Sequence, residues 1–209
     1  MEFKNAQEAF ETLIDELHVA DEFRDTNAMF NVGFKILNPL DNIIDTDFRN
    51  WNKNYADYEW QWYLSGDPSA IEISKRAPIW KSHMDEEGNV QSNYGWQWNR
   101  YSQLDRIIDI LHADKHSRQA VLSFYDGKEV SEYAYDTPCT NTVHFQIVNK
   151  KLCMTVNMRS NDIWFGFCND QYCFSKLQEL VAKELNVKVG WYYHFASNIH
   201  LYKKNRLWN

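Results

Sequence analysis

Apolar residues recur at helical spacing at the start of the chain. Phe3, Ala6, Phe10, Leu13, Ile14 and Leu17 share one face and predict an amphipathic helix over residues 3–18, its opposite face acidic and solvated. Phe23 to Asn27 then reads as a loop entering a strand through Met29, Asn31, Gly33 and Lys35. Residues 50–64 carry Trp51, Tyr55, Tyr58, Trp62 and Tyr63, an aromatic stripe that predicts a helix with an inward face, closed by the turn Gly66-Asp67-Pro68. Leu104, Ile107, Ile108 and Leu111 predict another helix from about 101 to 112. The period then changes: residues 120–125, 142–148 and 152–158 read as strands, the last two joined tightly by Asn149-Lys150. Phe174, Leu177, Leu180, Val181 and Leu185 mark a helix closed near Asn186, and Trp191 to Tyr202 forms the last segment. Helices and strands mix without regular alternation, so the expected class is α+β.

At 209 residues and 44% hydrophobic content the chain can bury one substantial core, and a single domain over 1–209 is expected. Aromatics make up 16%, with nine Trp, enough rings to fill a core and also wall a flat apolar pocket. The formal charge of -7 disfavours non-specific nucleic-acid binding, which needs a basic face. Cys139, Cys153, Cys168 and Cys173 lack the spacing of a zinc site or disulfide framework, so a reducing cytoplasm and no metal are expected. Met1 to Leu17 mixes charges among its apolar residues, unlike a signal peptide, and no stretch is long and apolar enough to span a membrane.

Candidate chemistry concentrates between Asp136 and Asp170. Cys139 follows a proline, and Arg159, Ser160, Asn161, Asp162, Gly166, Asn169 and Asp170 crowd into what reads as a short polar loop. A thiol, an arginine and carboxylates around a strand pair could make a nucleophile with its anion clamps, although a lone cysteine is more often a small buried apolar group. Glu59 lies in the aromatic stripe, where a carboxylate is either structurally paired or held with a raised pKa for proton transfer; the helix alone favours the structural role. Arg24 reads as a solvated charge or a phosphate grip. Asn93-Tyr94-Gly95-Trp96-Gln97-Trp98 sets three rings around one glycine and suggests close backbone approach to another surface. Asp85 to Asn89 reads as an exposed acidic turn.

Together these segments resemble the thymidylate synthase superfamily, in particular its phage deoxycytidylate hydroxymethylases. The resemblance runs through Cys139-Thr140-Asn141-Thr142-Val143, Asn157 to Asp162, Phe165-Gly166-Phe167 and Asn169-Asp170. Glu59 with Trp62-Tyr63, Ile79-Trp80, Asn93 to Trp96, Ser117-Arg118 and Ile199 to Tyr202 support it. It implies a three-layer fold around a twisted mixed sheet, a homodimer packed sheet to sheet, and one-carbon transfer from 5,10-methylenetetrahydrofolate to carbon 5 of a pyrimidine nucleoside monophosphate. By the same resemblance Cys139 is the nucleophile that adds to carbon 6, its thiolate favoured by the neighbouring Arg159. Arg159 and Ser160 would bind phosphate, helped by Arg24 and, across the dimer, by Arg118, although Gln119 replaces the family's second arginine. Glu59 would organise water and protons. His200 and Tyr202 would hold the sugar hydroxyl, Trp80 and Asp162 the folate, and Trp80 with the Tyr94 to Trp98 cluster the walls of the folate and pyrimidine.

Base choice turns on the position four after Gly166, where synthases carry asparagine and this chain has Asp170 with Asn169 beside it. A protonated Asp170 offers one donor and one acceptor to cytosine, and an ionised one could instead pair with a base protonated at N3. Thr140 also departs from the synthases, which often have His there. With the sequence running only to Asn209, the closing segment of the synthases is expected to be missing, and an open site would favour water as the final acceptor. The expected activity is therefore 5-hydroxymethylation of dCMP. The alternatives are the same reaction on dUMP or CMP, methylation of dUMP, or an inactive nucleotide- or RNA-binding regulator.

Overall fold

The computed structural model describes residues 1–129, 133 and 135–205. In chain order these form β1 (Glu2–Phe3), α1 (Ala6–His18), β2 (Glu22–Phe23), β3 (Thr26–Ile36), α2 (Lys53–Ser65), α3 (Tyr94–Asn99) and α4 (Gln103–Ala113). There follow β4 (Val121–Ser123), β5 (Thr140–Val148), β6 (Lys151–Met158), β7 (Asn161–Asp162), α5 (Cys168–Glu184) and β8 (Lys188–Tyr202). The first helix begins three residues later than its apolar spacing suggests. Asn5 caps it by accepting from the Glu8 N–H at 3.0 Å, and Phe3 belongs to a short strand beside β3. α2 ends as expected, on Gly66 in the left-handed conformation (φ 64°). α4 starts at Gln103 rather than 101, because Tyr101 and Ser102 both take positive φ and break the turn.

The sheet runs β1-β3-β8-β6-β5-β4, with β2 added to β3 and β7 to β8. It is mixed: β8 is antiparallel to β3 and parallel to β6 and β7, and β5 is antiparallel to both neighbours. Asn149 and Lys150 both have positive φ (50° and 62°), the two-residue turn that matches the twist of the β5–β6 hairpin. Along β5, buried Val143 and Phe145 alternate with half-buried Thr142, His144 and Gln146, so the sheet has one covered face and one partly open face. α1 lies against β3 and β8; α5 lies against β6 and β8 on one side and α2 on the other. Sheet, α1 with α5, and α2 thus make three layers of an α+β fold.

Two segments depart from the sequence reading. Arg159 to Asp170 is not a loop: after β7, a π-helical turn (Ile163–Phe167) feeds directly into α5, placing Asn169 and Asp170 in its first turn. In α3 the ring cluster splits, because helical spacing sends Tyr94 and Trp98 to one face and Trp96 to the other. Trp98 packs in the core against Trp60 and Tyr63, and Trp96 lies under the Arg100 guanidinium.

Gly95 explains the close approach. A Cβ there would sit 1.6 Å from the Tyr63 carbonyl oxygen of α2, so the two helices touch backbone to backbone. Gly95→Ala is expected to destabilise by about 2–4 kcal/mol, lowering the melting temperature by roughly 4–16 °C. Gly127→Ala, where a Cβ meets nothing within 4 Å, should leave calorimetric melting nearly unchanged.

Candidate active site

Where β5 begins and β6 ends, the chain brings a thiol and an arginine together. The Arg159 N–H donates to the Cys139 carbonyl at 2.8 Å. Its side chain donates to the Pro138 carbonyl through Nε at 3.0 Å and to the Thr137 carbonyl through Nη2 at 2.8 Å. The same Nη2 lies 3.8 Å from the Cys139 Sγ. Cys139 is half-buried, whereas the other three cysteines are buried. Its thiol does not follow the expectation of a ready thiolate. Burial pushes it up to about 11; Arg159 pulls it back, but Asp170, Asp136 and Asp162 push it further up.

Those carboxyls line one cleft of about 500 Å³ with Cys139, Glu59, Tyr94, Trp80, Arg159, Ser160 and Asn169. Glu59 is 5% exposed on the inner face of α2, and burial, with the Asp170 charge second, raises it to about 8. Asp170 is raised to about 7 by burial, against the Asn161 amide, which donates to its Oδ2 at 2.8 Å. Asp162 caps the π turn through the Trp164 N–H at 2.9 Å and is raised by burial to about 6. Near neutral pH this cleft therefore holds a mostly neutral Glu59 beside an Asp170 close to half-protonated.

Glu59 is also aimed. The Trp80 indole N–H donates to the Tyr55 hydroxyl at 2.9 Å, and Tyr55 donates to Glu59 Oε1 at 3.1 Å. The indole donates to Tyr55, and with Tyr55 donating on to Glu59 Oε1 the proton of the neutral acid is left to Oε2. Tyr94 is mainly a core ring, stacked on Phe124 and Phe174, that reaches the cleft. Trp96 and Trp98 are absent from the cleft lining among the described residues, so Trp80 and Tyr94 remain of the expected aromatic wall, joined by Tyr55, Tyr63, Tyr133 and Tyr135. Ile79 and Phe165, 63% and 50% exposed, stand beside Trp80 and Asp162 as flat apolar surface for a ring system.

Arg159 and Ser160 also border a second hollow with Arg24, Thr26, Asn198, His200 and Tyr202. Arg24 sits in the two-residue turn between β2 and β3 with φ 57°, a left-handed position for a non-glycine residue. The His200 Nδ1 faces the Asn198 Oδ1 at 2.8 Å, and burial lowers its pKa. The neutral ring donates through Nδ1, leaving Nε2 as an acceptor for a hydroxyl. Two sequence-derived groups thus meet at Arg159: the thiol with its acids, and the basic and hydroxyl groups suited to a sugar phosphate. Arg118 joins neither; it is exposed before β4, outside its own chain's cleft. Tyr55, Asp136 and Asn161 received no role from the sequence. Asp136 accepts from the Ser92 N–H and hydroxyl, both at 2.6 Å. The only sequence signal for Asn161 was its place inside the Arg-Ser-Asn-Asp run.

The family model described as thymidylate synthase matches residues 43–206. The deoxycytidylate 5-hydroxymethyltransferase of Enterobacteria phage T4 is 33% identical over 171 residues, covering 74% of this chain and 69% of that protein. Deoxyuridylate hydroxymethyltransferases of Pseudomonas phage M6 and Delftia phage PhiW-14 are 29% and 30% identical over 174 and 189 residues. These alignments cover 80% and 83% of this chain and 50% and 52% of those proteins.

The raised thiol has a direct check. Alkylation of Cys139 by iodoacetamide, followed by peptide mass spectrometry, should climb about tenfold per pH unit from pH 7 to 9.5 without levelling. Arg159→Met should slow it further at each pH, since the guanidinium favours the thiolate. A plateau by pH 8 would contradict this electrostatic account.

Proposed function

This chain belongs to the thymidylate synthase family, and on that footing we propose that it hydroxymethylates dCMP at carbon 5. 5,10-methylenetetrahydrofolate would supply the one-carbon unit and water the hydroxyl, leaving 5-hydroxymethyl-dCMP and tetrahydrofolate. We read residues 1–209 as one catalytic domain working as a homodimer. The partly open sheet face supports that assembly, as does Arg118, which is free to reach a phosphate held by a partner subunit.

The observation that carries the substrate reading is Asp170. It lines the cleft beside Cys139 with its pKa raised to about 7, so its neutral form is populated at physiological pH. A neutral carboxyl donates to the cytosine N3 and accepts from the 4-amino group, whereas uracil presents the opposite pattern. Asn169 is the residue that could restore uracil pairing, but the Trp51 indole already takes one lone pair of its Oδ1 at 2.9 Å and ties that oxygen toward α2. The names of the relatives divide between deoxycytidylate and deoxyuridylate, so dUMP is the second reading.

In the proposed reaction the nucleotide phosphate lies against Arg159, Ser160 and Arg24, with Arg118 of the partner subunit completing the cluster. Nε2 of His200 and the Tyr202 hydroxyl face the sugar. Trp80, Ile79 and Asp162 would hold the folate. Cys139 Sγ bonds to carbon 6 as its proton leaves, and the displaced electron pair makes carbon 5 nucleophilic. Carbon 5 would take the one-carbon unit and lose its proton as the carbon–nitrogen bond to the folate breaks, releasing tetrahydrofolate. Water adds to the resulting exocyclic methylene, and the carbon 6–sulfur bond then breaks to return the thiol. Glu59, with its proton directed to Oε2, is placed to pass protons to and from that water. Binding cytosine to neutral Asp170 also removes one of the charges that hold the Cys139 thiol protonated.

Tritium release from carbon 5 of labelled dCMP, dependent on methylenetetrahydrofolate, tests the activity, and mass spectrometry separates hydroxymethyl from methyl product. Asp170 must be neutral to read cytosine, so kcat/KM for dCMP relative to dUMP should fall as pH rises through about 7. Asp170→Asn should move preference toward dUMP by at least tenfold, and Cys139→Ser should abolish release. Release from neither nucleotide in the wild-type protein would end the enzymatic reading.

A further inference from the structure

Asn161 carries an unfilled hydrogen-bonding capacity at the base end of the cleft. It stands in β7, its backbone paired beside Ile199 of β8, and it is 2% exposed. Its Nδ2 donates to Asp170 Oδ2 at 2.8 Å, yet its Oδ1 is buried with no partner among the described residues. Buried polar atoms are almost always paired, so an orphan acceptor lining a cleft points to a donor brought by the ligand. The position is tightly held: a Cβ at Gly166 would lie 3.1 Å from Asn161 Nδ2 and 3.3 Å from Asp170 Oδ2.

The amide also fixes the polarity of Asp170. An N–H can only donate, so Asp170 Oδ2 must accept, and a neutral Asp170 carries its proton on Oδ1. The pair thus offers two acceptors, Asn161 Oδ1 and the spare lone pair of Asp170 Oδ2, followed by one donor, Asp170 Oδ1–H. A cytosine edge has the complement: two hydrogens on the 4-amino group and an acceptor at N3. We propose that Asn161 is a second base-reading residue, its Oδ1 accepting one hydrogen of the 4-amino group while Asp170 takes the other and donates to N3. This rests on the reading of the cleft as a dCMP site. A keto oxygen at carbon 4 would face two acceptors and gain nothing, so Asn161 adds discrimination that Asp170 alone does not supply.

The test is kcat/KM for dCMP and dUMP with wild type, Asn161→Leu, Asn161→Ser and Asp170→Asn, each first checked for a cooperative thermal melt. Asn161→Leu is close in shape and removes donor and acceptor; if it fails to fold, Asn161→Ser decides. The dCMP-to-dUMP ratio should drop at least tenfold in the Asn161 variants. The alkaline limb for dCMP should also move to higher pH, because Asp170 loses the amide that favours its ionised form. A merely structural role would lower both substrates together and leave the limb in place. A wild type that prefers dCMP, an Asp170→Asn that loses the preference, and Asn161 variants whose ratio stays within twofold would overturn this proposal alone. A wild type that prefers dUMP would overturn the dCMP reading and this proposal with it.

Discussion

Arg159 joins parts of the chain that would otherwise be independent. Its backbone N–H extends the β5–β6 pairing to the Cys139 carbonyl, and its guanidinium holds the carbonyls of Pro138 and Thr137. The thiol loop is thereby fixed to the end of the central sheet. Two donors are spent on this structural task, and a guanidinium has five, so an anion-binding face remains beside Ser160 and Arg24. Lysine could supply the charge but not the planar fork that performs both tasks at once.

Around this point the protein crowds acids into little water. Glu59, Asp170 and Asp162 are all raised by burial, Glu59 further by the Asp170 charge, and Cys139 further by three carboxylates. One arginine does not balance that field, so the resting thiol is neutral despite its neighbour. In the proposed mechanism this is a consequence of base recognition rather than a defect. Each unit of pKa corresponds to about 1.4 kcal/mol, so removing a nearby negative charge shifts the thiol appreciably. In that mechanism neutral Asp170 is the form that would read cytosine, and it is also the form that least opposes the thiolate, so recognition and activation would share a proton.

Much of this arrangement is legible in the amino-acid sequence. The helical stripe of α2, the Asn149-Lys150 hairpin and the Gly95 contact follow from local rules of periodicity, turn chemistry and the missing Cβ, which act within a few residues. The grouping of Arg24, Arg159, Ser160, His200 and Tyr202 in one hollow follows the resemblance, which names each of them for the proposed phosphate and sugar contacts. What escapes such a reading depends on packing. Nothing local says that Asp170 begins a helix, since the Asn- and Asp-rich run that enters α5 through a π turn looks like a loop. The ring cluster of α3 divides between core and surface because its neighbours lie in α2 and α4. The elevated thiol depends first on burial and then on carboxylates, Asp136 beside it and Asp162 and Asp170 folded back from beyond β6, whereas the neighbouring Arg159 alone suggests the opposite sign.

The division of labour between Asn169, Asp170 and Asn161 shows how a fold selects among residues of similar chemistry. All three line the cleft, and any could face a pyrimidine edge if only the side chain were considered. Asn169 is partly engaged by the Trp51 indole, which takes one lone pair of its Oδ1. Asp170 is left with one oxygen oriented by Asn161 and the other free, and burial keeps it close to protonated. Asn161 retains an acceptor with no internal partner among the described residues. The hydrogen-bond pattern offered to a base is therefore set less by Asp170 itself than by which neighbours have already been satisfied inside the protein. Specificity in such a site would be altered most economically by changing those internal partners, because they decide which lone pairs and protons reach the ligand.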